Sequence, residues 1–368
     1  MFKYSPSKLI DLKNFINQKN YKKIFILVGN KSFKKLEVKN QIKAYLLDKI
    51  VFYYEKKLPY PEYNELVEIT KKLDEYKPDL LVAIGGGSVI DYAKIANILK
   101  LEKNLKSKIM LNKVGFNKKY HLLAIPTTAG SGAEVTANAV IYIDKVKYSL
   151  EDISIKPDYF FLIPELINVG TKKIKASAGF DAISQSIESL ISTKSNSESL
   201  LYAKKSLIIS VDSYLDYINK PNLDNAFKMS IAANLSGNAI SISKTTAPHA
   251  VSYPFTSLFN ISHGHAVALN LTKFLKFNYK NISKSICDFN LHDRFKIIFE
   301  ITKTQNINEL VVFLEDIARK TGLELGFKEL GINIKQDLSK ILDGVNDQRL
   351  KNNPIKISKK DISNIIID

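Results

Sequence analysis

The chain has 368 residues, of which 45% are hydrophobic, and a formal net charge of +17 at pH 7. Because this length exceeds what a single core usually holds, two domains are expected. No apolar run approaches the length of a membrane span, and the only cysteine, Cys287, excludes an internal disulfide framework.

The positive charge is spread along the chain in short lysine pairs rather than gathered into one basic block. Such a pattern is typical of a solvated surface, so we expect no nucleic-acid partner and no membrane partner. It would still steer an anionic ligand towards the protein. The single cysteine and the absence of an apolar signal core at the N-terminus predict a cytoplasmic location.

The N-terminal part alternates between strand and helix patterns. Short apolar runs predict strands, and periodic apolar positions predict helices. Strands are predicted at residues 22–29, 50–54, 80–84 and 121–126, with an extended stretch at 157–165, a turn at 30–33, and helices at 63–76 and 89–96. This alternation predicts an α/β domain built on a parallel sheet.

Two of the predicted strands run into loops of small residues. The first loop is Gly-Gly-Gly-Ser at 85–88, and the second is Thr-Thr-Ala-Gly-Ser-Gly at 127–132. Glycine lets backbone N–H groups approach a phosphate, and the N-terminus of a following helix adds a partial positive charge. Since the carboxyl ends of parallel strands lie at one edge of a sheet, both loops would face one crevice. A dinucleotide is the expected ligand.

Strand patterns nearly vanish after about residue 165. Helices are predicted at residues 178–192, 197–215, 225–243, 308–321 and 338–343. We therefore predict a dinucleotide-binding domain at 1–165 and an all-helical domain at 166–368.

The helical part contains a candidate metal site. Asp181 and Gln185 are four residues apart in a helical pattern, so their side chains share one face. His249 and His263 are separated by Pro254 and by predicted turn residues, so the chain can fold back and bring the imidazoles together. The predicted turn residues are Thr256, Ser257 and Asn260.

Aspartate and two histidines, with the glutamine amide as a weaker fourth ligand, suit a catalytic zinc or iron ion with an open position. Any one of these residues alone would more often be solvated or part of a core. Their grouping favours the metal site.

The motifs occur in order along nearly the whole chain. They are Gly-Gly-Gly-Ser-Val-Ile-Asp at 85–91, Ile-Pro-Thr-Thr-Ala-Gly-Ser-Gly-Ala-Glu-Val-Thr at 125–136, Gly-Phe-Asp-Ala-Ile-Ser-Gln-Ser-Ile-Glu-Ser at 179–189, the pair His249 and His263-Gly264, and Asn-Asn-Pro at 352–354. Together they resemble the iron-containing (group III) alcohol dehydrogenase family. The resemblance implies a dehydroquinate synthase-like fold, with an α/β N-terminal dinucleotide-binding domain and an all-α C-terminal metal-binding domain. It also implies NAD(H) or NADP(H) and one divalent metal, Fe or Zn, as cofactors.

The resemblance assigns roles to particular residues of this chain. The implied cofactor-binding residues are Gly86, Gly87, Ser88, Asp91, Thr127, Thr128 and Ser131, and the implied metal ligands are Asp181, His249 and His263, with Gln185 at the fourth position. A small-molecule aldehyde or alcohol is the implied partner. A homodimer is common for such folds, although the sequence carries no interface signature.

Three positions depart from the family pattern. Gln185 stands where a ligating histidine is usual, so metal affinity and metal identity are open. Tyr253 stands where another active-site histidine is frequent, and its phenol is a candidate proton donor. Asn30, followed by Lys31, replaces an aspartate that would bind the adenine ribose, which makes NADP(H) possible as well as NAD(H).

These departures are similar to the phosphonoacetaldehyde reductase branch, which reduces that aldehyde to 2-hydroxyethylphosphonate. An anionic substrate needs cationic or donor groups near the metal, and Lys244 and His265 are the candidates. The opposing interpretation is that Lys244 is a solvated surface residue and that His265 is a packing residue.

Other functions remain possible from the sequence. A general alcohol dehydrogenase of the same family would act on a neutral substrate. A dehydroquinate synthase-like cyclase or a glycerol-phosphate dehydrogenase would also combine a nucleotide with a metal. The Gln185 substitution also allows a metal-depleted, non-catalytic nucleotide-binding protein.

Overall fold

The computed structural model describes residues 4–29, 36–144, 146–345 and 347–367. The chain divides into two compact units. The first comprises the described residues of Met1–Thr128 and Ala133–Gly170, and the second those of Ala129–Gly132 and Thr171–Asp368. This division lies five residues beyond the predicted boundary at 165/166, and it assigns a short part of the second small-residue loop to the helical unit.

The first unit is built on a parallel sheet. Its strands are β1 (Lys23–Gly29), β2 (Ile50–Lys56), β3 (Leu80–Gly85), β4 (His121–Pro126), β5 (Asn138–Ile143), β6 (Val146–Glu151) and β7 (Tyr159–Phe160). Its helices are α1 (Leu9–Gln18), α2 (Leu36–Tyr45), α3 (Tyr63–Tyr76), α4 (Gly87–Ala96), α5 (Leu105–Met110) and α6 (Pro164–Asn168). Five strands pair in parallel in the order β2-β1-β3-β4-β7, while β5 and β6 form an antiparallel hairpin.

The strands read as continuous apolar runs because the sheet is covered on both faces. Leu81 packs in one cluster with Leu66 of α3, and its neighbour Val82 packs in another cluster with Leu12 of α1. Successive side chains of a strand point to opposite faces, so a doubly covered strand must be apolar at every position. All six residues of β3 are buried.

The structure also contains elements that the sequence patterns did not predict. In the first unit these are α1, α2, α5, α6 and the β5–β6 hairpin, in which Asp144 takes a left-handed φ of 52° at the turn. The predicted extended stretch at 157–165 is too long, because only Tyr159–Phe160 pairs as a strand and Pro164 begins α6. Proline suits the first turn of a helix, where its missing N–H group has no partner to lose. The predicted turn at 30–33 lies outside the described residues.

The described residues of the second unit form helices joined by loops, with no strand among them. Its helices are α7 (Lys172–Ile191), α8 (Ser197–Asn219), α9 (Leu223–Ser243), α10 (Ala247–Phe259), α11 (His263–Lys280), α12 (Leu291–Thr302), α13 (Ile307–Lys320), α14 (Ile334–Asp343), α15 (Asp347–Leu350) and α16 (Lys359–Ile367). This confirms the predicted fold class of an α/β unit followed by an all-α unit. Among the helices described, none is long and apolar enough to cross a membrane.

Helix α7 lies at the centre of the second unit. It packs against α8, α9 and α11, and 16 of its 20 residues are buried. A helix that is buried on all sides is usually apolar, yet α7 carries buried serines, a glutamine and two carboxylates. Buried polar groups are costly unless they are hydrogen-bonded or bind a ligand, so the polar residues of α7 mark the candidate site.

Candidate functional site

One face of α7 carries three polar side chains in register. Asp181, Gln185 and Glu188 are spaced i, i+4 and i+7, which places them above one another on the same face. Their residues are 4%, 3% and 0% exposed. Helical spacing predicts Asp181 and Gln185 for this face, and Glu188, which was not among the predicted residues, obeys the same spacing rule.

The structure brings three of the predicted metal residues together. Asp181 of α7, His249 of α10 and His263 at the start of α11 each offer one ligand atom, and these atoms all lie within 4.8 Å of one another. The two imidazole centroids are 5.3 Å apart. Residues far apart in sequence therefore form one cluster suited to a cation.

The connection between the two histidines differs from the prediction. Helix α10 continues through Pro254 to Phe259, so Thr256 and Ser257 are helical and their predicted place in a turn is wrong. Asn260 does form the turn, with a left-handed φ of 54° that ends α10. Asparagine tolerates this conformation better than most residues, and α11 can therefore begin at His263.

Gly264 allows α11 to begin this close to α7. A Cβ atom at this position would collide with the carbonyl oxygen of Ser177 and would lie 2.9 Å from the Cβ of Asp181. The backbone N–H of His265 also donates to the Ser177 hydroxyl at 3.1 Å. The close approach of α11 to α7 at the metal cluster therefore requires glycine at position 264.

The cluster passes a chemical test for a divalent metal. Asp181 Oδ1 and His249 Nε2 face each other at 3.2 Å, and neither atom has a hydrogen-bond partner among the described residues. Buried polar atoms without a hydrogen-bond partner are rare in folded proteins. One carboxylate and two imidazoles are a suitable donor set for catalytic Zn or Fe, and a bound cation would satisfy both atoms.

Glu188 fixes the orientation of His249. Its Oε1 accepts a hydrogen bond from His249 Nδ1 at 2.5 Å, and its Oε2 accepts from the backbone N–H and the hydroxyl of Thr246 at 2.6 and 2.9 Å. With the ring proton held at Nδ1, the lone pair of Nε2 points to the cluster. Such a carboxylate–histidine pair is a common support for a metal-bound imidazole.

The charges of the cluster shift its pKa values. Burial alone would lower the pKa of His249, but Glu188 and Asp181 outweigh burial and raise it to about 9. Burial acts to raise the pKa of Asp181, yet the facing His249 and the charge of His263 lower it. A proton and a metal ion would therefore compete for His249 Nε2, as for histidine ligands in general.

Gln185 supports Asp181 through its amide. Its Nε2 donates to Asp181 Oδ2 at 3.1 Å, and its Oε1 accepts from the hydroxyl of Ser236 at 2.9 Å. In this arrangement the amide oxygen is engaged by Ser236 and the amino group holds the carboxylate. A ligand role for Gln185 stays a prediction.

Tyr253 links the metal cluster to an arginine. Its ring stacks on His263 with centroids 5.7 Å apart and an interplanar angle of 27°, and its residue is only 8% exposed. Burial raises the pKa of Tyr253, while the positive charge of Arg349 opposes that rise. Arg349 lies on α15 and is half-buried.

Arg349 belongs to no motif that the sequence analysis used. It stands three residues before Asn352, the first residue of the Asn-Asn-Pro motif. The side-chain amide of Asn352 donates to the carbonyl of Thr245 at 3.0 Å, next to the Thr246 that binds Glu188. The motif thus ties the segment that carries Arg349 to the start of α10.

The other two predicted catalytic residues bind backbone carbonyls. Lys244 ends α9 with φ 62° and ψ 171°, a conformation typical of glycine, and its ammonium donates to the Ser241 carbonyl at 2.8 Å. His265 Nε2 donates to the Glu324 carbonyl at 2.5 Å, and burial lowers its pKa. Their catalytic roles stay predictions.

In the first unit, the two predicted nucleotide loops leave the sheet at the same edge. Gly85 at the end of β3 pairs with Pro126 at the end of β4, and the N–H of Thr127 donates to the Gly85 carbonyl at 3.0 Å. A Cβ at Gly86 would lie 3.3 Å from the Thr128 hydroxyl oxygen. The common edge expected for residues 85–88 and 127–128 is therefore confirmed.

Ser131 belongs instead to the second unit. It lies between Gly130 and Gly132, and Cβ atoms added to these glycines would collide with Ala178 and Gly237 respectively. Asn30, the predicted contact for the adenine ribose, lies outside the described residues. Cofactor contacts of Ser131 and Asn30 stay predictions.

The first helix after the glycine-rich turn is held by two lysines that the sequence analysis did not select. Lys56, the last residue of β2, donates to the Ser88 hydroxyl at 2.5 Å. Lys94 is fully buried and donates to the Thr136 hydroxyl at 2.8 Å, and burial lowers its pKa to about 8. Asp91 accepts from the Val140 N–H at 3.1 Å, and burial raises its pKa to about 6.

Comparison with known proteins decides the family. Residues 3–164 match the sequence profile of the iron-containing alcohol dehydrogenases, and residues 175–368 match the profile of the C-terminal domain of that family. The chain belongs to the iron-containing alcohol dehydrogenase family. Its members are NAD(P)-dependent alcohol dehydrogenases and aldehyde reductases, so the predicted enzyme class is confirmed.

Several relatives match along much or all of the chain. An NADPH-dependent butanol dehydrogenase of Clostridium saccharobutylicum is 26% identical over 384 residues, covering 98% of this chain and 94% of the relative. A phosphonoacetaldehyde reductase of Streptomyces viridochromogenes is 30% identical over 227 residues, covering 59% of this chain and 57% of the relative. The crystal structure of sulfoacetaldehyde reductase from Bifidobacterium kashiwanohense in complex with NAD+ has a TM-score of 0.85 and 22% identity, covering 100% of this chain and 98% of that one.

Family membership also confirms the predicted cofactors. Iron-containing alcohol dehydrogenases use a nicotinamide dinucleotide and a divalent metal, and the Asp181, His249 and His263 cluster fits such a metal. A non-catalytic nucleotide-binding protein, the alternative suggested by Gln185, is therefore not supported. Small alcohols and aldehydes are the substrates of the family.

Proposed function

We propose that this enzyme reduces a small anionic aldehyde to the primary alcohol, with phosphonoacetaldehyde and 2-hydroxyethylphosphonate as substrate and product. One observation carries the proposal. The positive charge of the Arg349 side chain acts on Tyr253, and the Tyr253 ring stacks on the candidate ligand His263. A cationic group thus lies one side chain away from the metal cluster.

The chemistry of the substrate explains why this placement matters. In phosphonoacetaldehyde a single methylene separates the aldehyde carbon from phosphorus, so the anion must bind close to the reacting carbonyl. The planar guanidinium of arginine matches the oxygens of a phosphonate and binds them in a bidentate manner. Lys244 is a second candidate for this contact, because its glycine-like backbone conformation is costly for a lysine and such strain is often kept at functional sites.

The reaction adds a hydride and a proton to the aldehyde. A reduced nicotinamide dinucleotide held by Gly86, Gly87 and Ser88 would supply the hydride for the carbonyl carbon. A divalent ion held by Asp181, His249 and His263 would supply Lewis-acid polarisation of the carbonyl oxygen. We assign the proton to the Tyr253 hydroxyl, because the positive charge of Arg349 makes this group a stronger acid. Water or His265 would then return a proton to Tyr253.

A neutral aldehyde is the second candidate substrate. The NADPH-dependent butanol dehydrogenase covers 98% of this chain, a longer match than that of the phosphonoacetaldehyde reductase. The NADPH dependence of that relative also keeps NADPH open beside NADH as the cofactor of this enzyme, in line with the predicted loss of an aspartate at Asn30. The cytoplasmic location is likewise part of the proposal and rests on the single cysteine.

The test combines metal content with substrate preference. Elemental analysis of the purified enzyme would be paired with NADH and NADPH oxidation against phosphonoacetaldehyde and butanal. We expect one Fe or Zn per chain and a higher kcat/KM for phosphonoacetaldehyde. A preference for butanal would overturn the anionic substrate and leave the family assignment intact.

Arg349→Met tests the residue that carries the proposal. Because a hydrogen bond to a charged group is worth about 1.5–3 kcal/mol, kcat/KM for phosphonoacetaldehyde should fall about 10- to 100-fold. The value for butanal should change less than about 3-fold. Arg319→Met is the matched control, since Arg319 is exposed and pairs with Glu315 on the surface of α13. An equal loss of kcat/KM with both aldehydes would show that Arg349 does not bind the anionic group of the substrate.

A further inference from the structure

We infer that Lys56 is a cofactor-phosphate residue, which makes Ser88 a hydrogen-bond donor and adds a positive charge where the dinucleotide pyrophosphate binds. The inference goes beyond the proposed substrate. It rests on the use of a nicotinamide dinucleotide, which family membership establishes.

The placement of Lys56 is unusual for a lysine. It is the last residue of β2 and is only 7% exposed, although burying an ammonium group is costly unless it has partners. Its Nζ donates to the Ser88 hydroxyl at 2.5 Å and to the Pro59 carbonyl at 3.0 Å. The lysine therefore crosses from β2 to the first turn of α4.

The bond to Lys56 determines what Ser88 can do. A serine hydroxyl has one donor and two acceptor positions, and Lys56 occupies an acceptor position. No acceptor for the Ser88 hydroxyl proton is present among the residues that the structure describes. The proton is thus available to an anionic oxygen, and the neighbouring ammonium makes the hydroxyl a stronger donor.

The surrounding backbone points to a phosphate as that anion. Gly86 caps α4, and its carbonyl accepts from the N–H groups of Val89 and Ile90 at 2.9 and 3.3 Å. The N–H groups of Gly87 and Ser88 come before these bonds and have no acceptor among the described residues, so they carry the partial positive charge of the helix N-terminus. Lys56 and Ser88 would add a full charge and a side-chain donor to these amides.

Lys57 provides a matched control. It follows Lys56 directly, but its side chain is exposed and pairs with Glu68 at 2.7 Å. The two adjacent residues thus have the same side chain and the same charge, but only Lys56 contacts the glycine-rich turn. Any effect of charge on the whole protein would be shared by both.

The experiment measures binding of ADP, adenosine and 2′-AMP to the full-length enzyme by calorimetry. In Lys56→Met, affinity for ADP should fall about 10- to 100-fold, while affinity for adenosine should change less than about 3-fold. Lys57→Met should leave both within about 2-fold. Lys56→Arg should restore most of the ADP affinity.

A double-mutant cycle tests the link to Ser88. Ser88→Ala alone should weaken ADP binding. Adding Lys56→Met to this variant should reduce ADP affinity clearly less than Lys56→Met does in the wild-type enzyme, because the two residues act together. Equal losses for adenosine and ADP in Lys56→Met would indicate a structural role and overturn the inference. Unchanged ADP binding, or a loss confined to 2′-AMP, would also overturn it.

Discussion

The glycine-rich turn of the first unit and the metal cluster of the second are built in opposite ways. The turn is a continuous stretch, residues 85–88, that joins the end of β3 to the start of α4, and the groups it would offer a phosphate are mainly backbone amides. The metal cluster takes Asp181, His249 and His263 from three different helices, and every group it offers is a side chain. Local sequence therefore specifies the turn, whereas packing of α7, α10 and α11 specifies the cluster.

This difference predicts how each site responds to substitution. Backbone amides survive a change of side chain, so the turn should tolerate single substitutions with graded losses. A metal site with three firm ligands loses its ion when one ligand is removed.

Removal of a metal ligand should have the largest effect. Asp181→Ala or His263→Ala should lower kcat about 1,000-fold or more, since a metal ion supplies several kcal/mol of transition-state stabilisation. NADH binding, measured by fluorescence, should change little because the turn is intact. His292→Ala is the control, as His292 is exposed on α12. Unchanged activity in both ligand variants would refute the metal assignment.

Removal of the negative charge behind His249 should have a smaller but clear effect. Glu188→Gln keeps the size of the side chain and loses the charge that orients the imidazole. Metal affinity should fall about 10- to 100-fold, as for other carboxylates that support a ligating histidine. Competition with a chelator would measure it, with Glu198→Gln on the exposed start of α8 as the control. Equal metal retention in the two variants would show that Glu188 does not support the ligand.

Gln185→His tests the position at which this chain departs from its family. An added imidazole should strengthen metal retention about 10-fold during dialysis against a chelator, because nitrogen is a better ligand for Zn or Fe than an amide oxygen. Elemental analysis after dialysis is the measurement. A lower metal content would instead mean that the bond from Gln185 to Asp181 at 3.1 Å matters more than a fourth ligand.

Gly86→Ala should have the smallest effect. The added Cβ would lie 3.3 Å from the Thr128 hydroxyl oxygen, so that side chain must shift by a few tenths of an ångström. We expect NADH to bind about 3- to 10-fold more weakly, with metal content unchanged. Gly115→Ala is the control, because nothing lies within 4 Å of a Cβ there. A loss of metal in Gly86→Ala would break the distinction between the two regions.

Several features of the fold were predictable because they depend on neighbouring residues. Strands β1, β3 and β4 appear as short apolar runs ending in glycine or proline, and α3 was predicted at its observed bounds, Tyr63–Tyr76. The hairpin of β5 and β6 was missed because its strands alternate less clearly and because Asp144, not glycine, occupies the left-handed turn. The helical continuation of α10 through Pro254 was missed for a similar reason, since proline usually indicates a helix end.

The family, the order of the two kinds of domain and three residues that meet in the metal cluster follow from the amino-acid sequence alone. They do so because ordered motifs and helical spacing are local properties of the chain. The partners of those residues depend on the fold. It placed Glu188 behind His249, Arg349 beside Tyr253 and Lys56 against Ser88. Each pair joins segments that are distant in sequence, and side-chain contacts of this kind follow from packing rather than from spacing along the chain.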